Sequence, residues 1–351
     1  MTIAIITDQH LDGRKNSKIF WDYFLKFYDD VFFPALDKYK IKTVLDLGDT
    51  FDNRKNIDLA AWYRIKKHYF QRLYDRGIQV KMIIGNHTAY YKNTNRINTP
   101  ELLLDRAYDN IEIITEIQDL VVEGRKITFI PWINQENEEH VFDHISRTNA
   151  KIAMGHLEIN GYQAYPGHFF RGGNIDQDLF SKFEHVLSGH FHHKSERGNI
   201  KYLGNPYEMY WNDYADDRGF HLFDPETMKL GFIKNPYRMF RKIFYDDTKV
   251  NYNTMNLSEY ENTYIKLIVN QKKSNFTFEK FVERLYDVGI HDIKIIEDQS
   301  LDFENVDNSI ECEDTLSILN KYVEETEDID CDKNDIKSII KSIYVEACEV
   351  Q

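Results

Sequence analysis

Asp8-Gln9-His10, Gly48-Asp49, Gly85-Asn86-His87, Gly155-His156 and Gly189-His190-Phe191-His192 each follow a short apolar run. Those runs, IAIIT, TVLDL, VKMII, KIAM and HVLS, read as buried strands, so the chain repeatedly delivers Asp, Asn or His to one rim of a sheet. Carboxylate, amide and imidazole groups in that concentration are ligands for divalent metals. Two ions about 3.5 to 4 Å apart need a bridging carboxylate, terminal ligands on each side, and open positions for water and substrate. Asp49 suits the bridge. Asp8 and His10, two residues apart at a strand exit, point the same way and can clasp one ion. His190 and His192 repeat that spacing and can each serve a different ion, while Asn86 adds a neutral oxygen and His156 a nitrogen. His87 follows Asn86 directly and so projects differently, towards a scissile phosphate, where it can protonate a leaving oxygen or stabilise developing charge.

Two carboxylates against two dications leave a site charge of about +2 before any hydroxide binds, which attracts phosphate. Mixed nitrogen and oxygen donors without thiolates suit Mn, Fe or Zn better than Ca or Mg, and Mn2+ is the expected ion. Taken singly the blocks are weak, because a lone Asp-x-His is more often a hydrogen-bonded loop. Five of them in this order, each after an apolar run, make a dinuclear centre the reading.

The elements that must hold these residues follow from periodicity. Strand-like runs at 2 to 7, 43 to 47 and 79 to 84 alternate with helical stretches around 18 to 39 and 57 to 76, the β-α-β-α order of an α/β domain. After Pro100 the strand-like runs are shorter and closer, at 111–114, 119–124, 126–132, 151–155, 185–189, 200–204, 219–224 and 229–233, with tight turns at Gly124, Gly198 and Pro225. A two-layered or mixed sheet core with helices outside is expected over residues 1–240. Residues 241–304 read as a small α/β module, with a helix over FTFEKFVERLYDVG. In 305–351, Leu316, Leu319 and Val323, then Ile336, Ile339, Ile340 and Ile343, recur at helical spacing. Two short helices there either pack back on their own domain or meet a partner helix.

With 351 residues and 42% apolar composition, the chain can bury the cores of two or three domains. Residues 291–351 hold 18 acidic and 5 basic side chains and carry 13 of the 14 excess negative charges. The body is therefore near neutral, but residues 51–100 hold ten Lys or Arg against three acids. Arg54, Lys55 and Lys92 in that stretch are candidate contacts for a polyanion. A solvated helix face reads equally well for much of it, since Arg64 and Lys67 fall at helical spacing. The cysteines Cys312, Cys331 and Cys348 have no metal-like spacing and read as reduced thiols. No apolar stretch approaches the ~20 residues of a membrane span, so a soluble, cytoplasmic protein is expected.

The order Asp-x-His, Gly-Asp, Gly-Asn-His, Gly-His, Gly-His-x-His resembles the calcineurin-like metallophosphoesterase superfamily. Within it the chain is similar to the DNA-repair nucleases of the meiotic recombination eleven and SbcD group, and to the T-even bacteriophage recombination endonuclease subunits. GDTFDNRK (48–55), GNHTAYYKN (85–93), IPW (130–132), GHLEING (155–161), SGHFH (188–192), YLGNP (202–206) and DDRGFHLFD (216–224) carry the likeness. The resemblance implies a two-sheet sandwich flanked by helices, with the first metal at Asp8, His10, Asp49 and His192 and the second at Asp49, Asn86, His156 and His190. It also implies a catalytic His87, a capping module, and a C-terminal helical pair that grips an SMC-like ATPase in a homodimeric, ATP-driven DNA nuclease. A small-molecule phosphodiesterase and a catalytically weak scaffold are the rival readings. Two departures stand out: Thr88 replaces an acidic residue that helps to orient the histidine, and Asp12 is inserted after His10-Leu11. Asp52 stands where some members have a second histidine.

Overall fold

The computed structural model describes residues 2–171 and 173–297; the helical tail expected over 305–351 lies outside them. The chain divides into two compact units, one ending at Arg241 and one beginning at Lys242. In chain order the strands of the first unit are β1 (Ile3–Ile6), β2 (Thr43–Asp46), β3 (Gln79–Ile83), β4 (Ala89–Tyr91), β5 (Thr94–Asn98), β6 (Ile111–Ile114), β7 (Gln118–Val122), β8 (Arg125–Ile130), β9 (Ile152–His156), β10 (Gln163–Tyr165), β11 (His168–Phe169), β12 (His185–Gly189), β13 (Ser195–Arg197), β14 (Ile200–Tyr202), β15 (Gly219–Asp224) and β16 (Lys229–Lys234). They build two six-stranded sheets, ordered β16-β15-β1-β2-β3-β6 and β13-β14-β12-β9-β8-β7. In the first, β1, β2, β3 and β6 are parallel and β15 joins β1 antiparallel. In the second, β8, β9, β12 and β14 are parallel, with β7 and β13 antiparallel at the edges.

Continuous burial of IAII and TVLD is what central parallel strands require, since both faces must be covered. Alternate residues divide the work. Ile3, Ile5, Leu45 and Ile83 meet Ile127, Phe129, Ile152, Met154 and Leu187 of the other sheet in one apolar layer, which makes the unit a two-sheet sandwich. On the second sheet, Ile130 and Val186 pack with Val141 and Ile145 of the helix Glu138–Arg147.

The outer layer of the first sheet is aromatic. Phe24 stacks on Tyr207 at 3.9 Å, Phe32 meets Phe220 edge-on at 4.9 Å, and Tyr28 lies 5.1 Å from Tyr69. Such pairs add about 0.5–1.5 kcal/mol each beyond their burial. Periodicity predicts plain helices here, but each helical segment carries a π-helical turn, Tyr28–Phe32 in one and Lys66–Phe70 in the other. Each turn carries buried aromatic residues, Tyr28 and Phe32 in the first and Tyr69 and Phe70 in the second. The short hairpins β4–β5 and β10–β11 fall where the sequence reads as connections, because neither alternates apolar with polar residues.

At one rim the sheets come nearly into contact. A Cβ on Gly189 would lie 2.0 Å from Thr7 Oγ1 and 2.8 Å from the Leu47 carbonyl oxygen, so glycine alone lets β12 approach β1 and β2. In the second unit, β17 (Phe240–Asp246), β18 (Tyr264–Gln271) and β19 (Asp292–Ile296) form a sheet. Helix Asn275–Asp287, capped by Ser274, joins the parallel pair β18 and β19, and Tyr245, Tyr252, Leu267, Phe278, Phe281 and Leu285 form its core. No helix among the described residues is long and apolar enough to cross a membrane.

The edge of the sandwich holds a titratable group in an apolar setting. His221 is buried against Phe232, and desolvation, reinforced by Lys194 and Lys201, pushes its pKa down to about 3. The folded protein keeps this ring neutral where the unfolded chain, with a pKa near 6.5, takes up a proton. Stability is therefore full above about pH 6.5 and falls as the pH drops from there towards 3. His221→Phe should lose less stability than wild type between pH 7 and pH 5 in paired urea titrations; an equal loss would contradict this.

Candidate metal centre

Strands that run parallel end together, and β1, β2, β3, β9 and β12 all deliver their C-terminal ends to the rim where the sheets meet. Asp8 and His10 follow β1, Asp49 follows β2, Asn86 and His87 follow β3, His156 closes β9, and His190 and His192 follow β12. The turns are held in a conformation that L-residues seldom adopt: φ is 51° at Asp8, 42° at His10, 52° at Asp49 and 87° at His190. Each costs about 1 kcal/mol or more and persists only where its surroundings over-determine it. Here the over-determination is visible. Asp8 N donates to Gly48 O, His10 N to Asp49 O and Leu11 N to Thr50 O, each at 2.9 Å, so the first loop runs zipped along the second.

Beneath them Asp46 fastens both loops. Its carboxylate accepts from Gly48 N at 3.1 Å, Thr50 Oγ1 at 2.6 Å and Gln9 Nε2 at 2.8 Å, and burial, working against these bonds, pushes its pKa up to about 7. Gln9 is fixed in turn by Tyr28, whose hydroxyl donates to Gln9 Oε1 at 2.6 Å, and by Tyr207, which donates to the Gln9 carbonyl.

The side chains gather in three groups whose ligand atoms lie within 4.8 Å of one another: Asp8, His10 and His192; Asp49, His156 and His190; and His10, Asp52 and His87, which shares His10 with the first. Each ring turns one nitrogen inward. His10 Nε2 lies 3.2 Å from His192 Nε2. His156 Nε2 is 3.2 Å from Asp49 Oδ2, and both His156 Nε2 and His190 Nδ1 lie 3.0 Å from Asn86 Oδ1. The outward nitrogens of three rings face acceptors: His156 Nδ1 donates to Leu47 O at 2.8 Å, His10 Nδ1 lies 2.9 Å from Asp52 Oδ1, and His190 Nε2 is 3.3 Å from Glu158 Oε1. With the proton held outside, lone pairs on the inward nitrogens confront carboxylate and amide oxygens. Acceptors facing acceptors are reconciled by a cation or by added protons.

The electrostatics agree. Burial opposes charge on His10, yet the Asp52, Asp49 and Asp8 carboxylates outweigh it and raise its pKa to about 9. His156 is likewise raised to about 9, against desolvation, mainly by Asp49. Asp49 is held well below the usual carboxylate range despite burial, by His156, His87 and His10. His192 is held well below the usual range by burial and the His10 and Arg218 charges, so the rings differ in proton affinity; the grouping of imidazole nitrogens with carboxylate and amide oxygens fits a pair of divalent ions. Trp132 closes one side, its ring 5.3 Å from that of His190, and Gly48, at φ 95°, lies against His156 where a Cβ would be 2.6 Å from Nδ1.

His87 is half exposed, with its ring edge-on to His10 at 4.9 Å. Its backbone N donates to Asp49 Oδ1, and its Nδ1 lies 2.8 Å from the Asp52 carbonyl. Thr88 does not orient it: the Thr88 hydroxyl is buried and exchanges hydrogen bonds with Gly85 N and Gly85 O. Asp52 holds His87 instead, and the inserted Asp12 holds Asp52, accepting from its N at 2.6 Å. Of the basic candidates, Arg54 is half-buried within reach of the Asp49 charge. Lys55 and Lys92 are exposed, Lys92 at the tip of the β4–β5 hairpin. Asp46, Glu158, Asn205 and Arg218 are supporting residues that sequence reasoning missed. All four lie within or beside the motif blocks, but nothing in their spacing marks them off from ordinary polar positions.

The model of the calcineurin-like phosphoesterase family matches residues 1–194. Exonuclease subunit 1 of Enterobacteria phage T4 is 30% identical over 323 residues, 89% of each chain. A subunit of nuclease SbcCD from Staphylococcus saprophyticus is 20% identical over 190 residues, 52% of this chain and 46% of that one. A dimetal phosphatase from Danio rerio superposes with a TM-score of 0.37 at 11% identity, covering 63% of this chain and 91% of that one, a likeness too loose to weigh. With a family match over more than half its length and a relative this similar along nearly all of it, the chain belongs to the calcineurin-like phosphoesterase family.

Proposed function

We propose that this phosphoesterase is a DNA nuclease that hydrolyses phosphodiesters at a dinuclear centre, with Asp8, His10, Asp49 and His192 as ligands on one side and Asp49, Asn86, His156 and His190 on the other. The observation that carries it is the set of inward-facing nitrogens and oxygens in two groups, with Asp49 buried among them. When bound, two divalent ions supply Lewis-acid stabilisation of the phosphoryl oxygens and lower the pKa of the attacking water. Nitrogen and oxygen donors without thiolates favour Mn2+.

The protein's own groups do the rest. The Asp52 carbonyl accepts from His87 Nδ1–H, which turns Nε2 to the substrate side; in its imidazolium form the ring delivers the Nε2 proton to the departing sugar oxygen. Arg54, half-buried in the field of Asp49, is the proposed contact for a phosphate of the strand, with Lys55 and Lys92 as outlying contacts.

DNA as substrate is supported by the nuclease names of the T4 and Staphylococcus relatives. Their designation as subunits supports a multisubunit assembly, for which residues 305–351 are the proposed contact with an SMC-like ATPase. An acidic segment repels DNA and suits a protein surface. A homodimer acting in the cytoplasm completes the reading.

Three outcomes are expected. Asp49→Ala or His190→Ala should bring Mn2+-dependent DNA cleavage to background with an unchanged far-UV spectrum; an unaffected rate would sink the ligand assignment. His87→Ala should keep its metal content but lose about 10²- to 10⁴-fold in rate on DNA. On a chromogenic diester whose leaving group needs no proton it should lose far less, and equal losses on the two substrates would rule out the proton-donor role. A chain ending near residue 300 should no longer co-purify with the cognate ATPase; retained binding would remove the tail from the interface.

A further inference from the structure

Three of the four inward-turned histidines have an acceptor behind them, and the fourth does not. Behind His192, the polar atom facing Nδ1 is the amide nitrogen of Asn205, at 3.4 Å. Asn205 cannot present its oxygen instead, because Oδ1 accepts from Arg218, and a guanidinium only donates. Arg218 itself is immovable: it is 2% exposed, lies 3.0 Å from Asp213 and 3.1 Å from Asp216, and also donates to the His192 carbonyl. Asp213 is committed to Met209 N and Tyr210 N, and Asp216 to His193 at 2.6 Å. The whole arrangement therefore keeps an N–H donor aimed at the outer nitrogen of His192.

We infer that Asn205 and Arg218 are positioning residues that weaken the grip of His192, and so of the Asp8, His10 and His192 group, on its metal. The inference rests on the dinuclear reading above. A histidine ligates through a lone pair, and an acceptor on its other nitrogen both fixes the tautomer and raises the basicity of the ligating one. Leu47 O and the Glu158 carboxylate do this for His156 and His190, the histidines of the other group. In the first group His10 has Asp52 Oδ1 within 2.9 Å of its outer nitrogen. For His192 the Asn205 donor favours a lone pair on Nδ1 and a proton on Nε2, the nitrogen that faces His10. Ligation through Nε2 moves that proton to Nδ1, against an N–H, and the positive charge of Arg218 opposes the incoming cation. Asp8 gives this side a second carboxylate where the other has the neutral Asn86, so the Asn205 donor acts against an otherwise favourable ligand set.

Calorimetric titration of the metal-free full-length protein with Mn2+ should show two ions bound, of which His192→Ala should lose one, the ion held by the Asp8, His10 and His192 group. Asn205→Asp keeps an oxygen for Arg218 and offers another to His192 Nδ1–H, so that ion should bind about tenfold more tightly while the other stays unchanged. An Asn205→Asp protein that binds both ions like wild type, or in which only the ion spared by His192→Ala tightens, would overturn the inference. Binding of fewer than two ions would overturn the dinuclear reading and this inference with it.

Discussion

Electron-pair donors forced to face one another at one rim of the sandwich are the constraint on which the rest of the structure depends. The inward nitrogens of His10, His156, His190 and His192 and the oxygens of Asp8, Asp49 and Asn86 form two clusters a few ångströms across, mostly out of water. Left alone, such a gathering repels itself or fills with protons, as the raised pKa values of His10 and His156 display. A fold that holds it together is one built around a cation. The parallel strands, the left-handed turns at Asp8, His10, Asp49 and His190, and the glycine at 189 that lets the two sheets touch are all means of bringing these donors to one place.

The support for that gathering extends through the helical layer. Asp46 ties the loop of Asp8 and His10 to the loop of Asp49, Gln9 ties Asp46 to Tyr28, and Tyr28 sits in a π-helical turn among stacked aromatics. A buried polar network of this kind is stabilising only when all its members are satisfied. The aromatic packing that holds Tyr28 and Tyr207 in place is therefore part of the centre's architecture, though neither ring approaches a candidate ligand. Strain in the turns persists because the alternatives would leave the buried Asp46 carboxylate without its donors.

The turn of Asn86, His87 and Thr88 shows how a local departure is absorbed. An acidic residue at position 88 is what the resemblance leads one to expect as the partner of the histidine, and its absence points to a loosely held ring. In the structure the threonine hydroxyl closes the turn on Gly85, while the Asp52 carbonyl, anchored by the inserted Asp12, takes hold of His87. The two departures read separately along the chain belong to one arrangement, because the loops carrying Asp12, Asp52 and His87 converge above Asp49.

The sequence by itself determined which residues stand at strand ends. Short apolar runs followed by Asp, Asn or His are a local pattern, and local patterns survive in one dimension. The alternation of those runs with helical periods gave the α/β class for the same reason. It could not show that β9 and β12 belong to a different sheet from β1, β2 and β3, that Tyr28 lies in a π-turn, or that hairpins fill 89–98 and 163–169, since these depend on which distant surfaces pack. Nor could it tell which nitrogen of each histidine turns inward or what stands behind it. Asp52, Glu158, Leu47 and Asn205 take those places through contacts that for Glu158 and Leu47 span 32 and 109 residues of chain. Only the closing of two sheets at one rim decides them, because a hydrogen bond is set by direction and distance in space, and neither is written in sequence spacing.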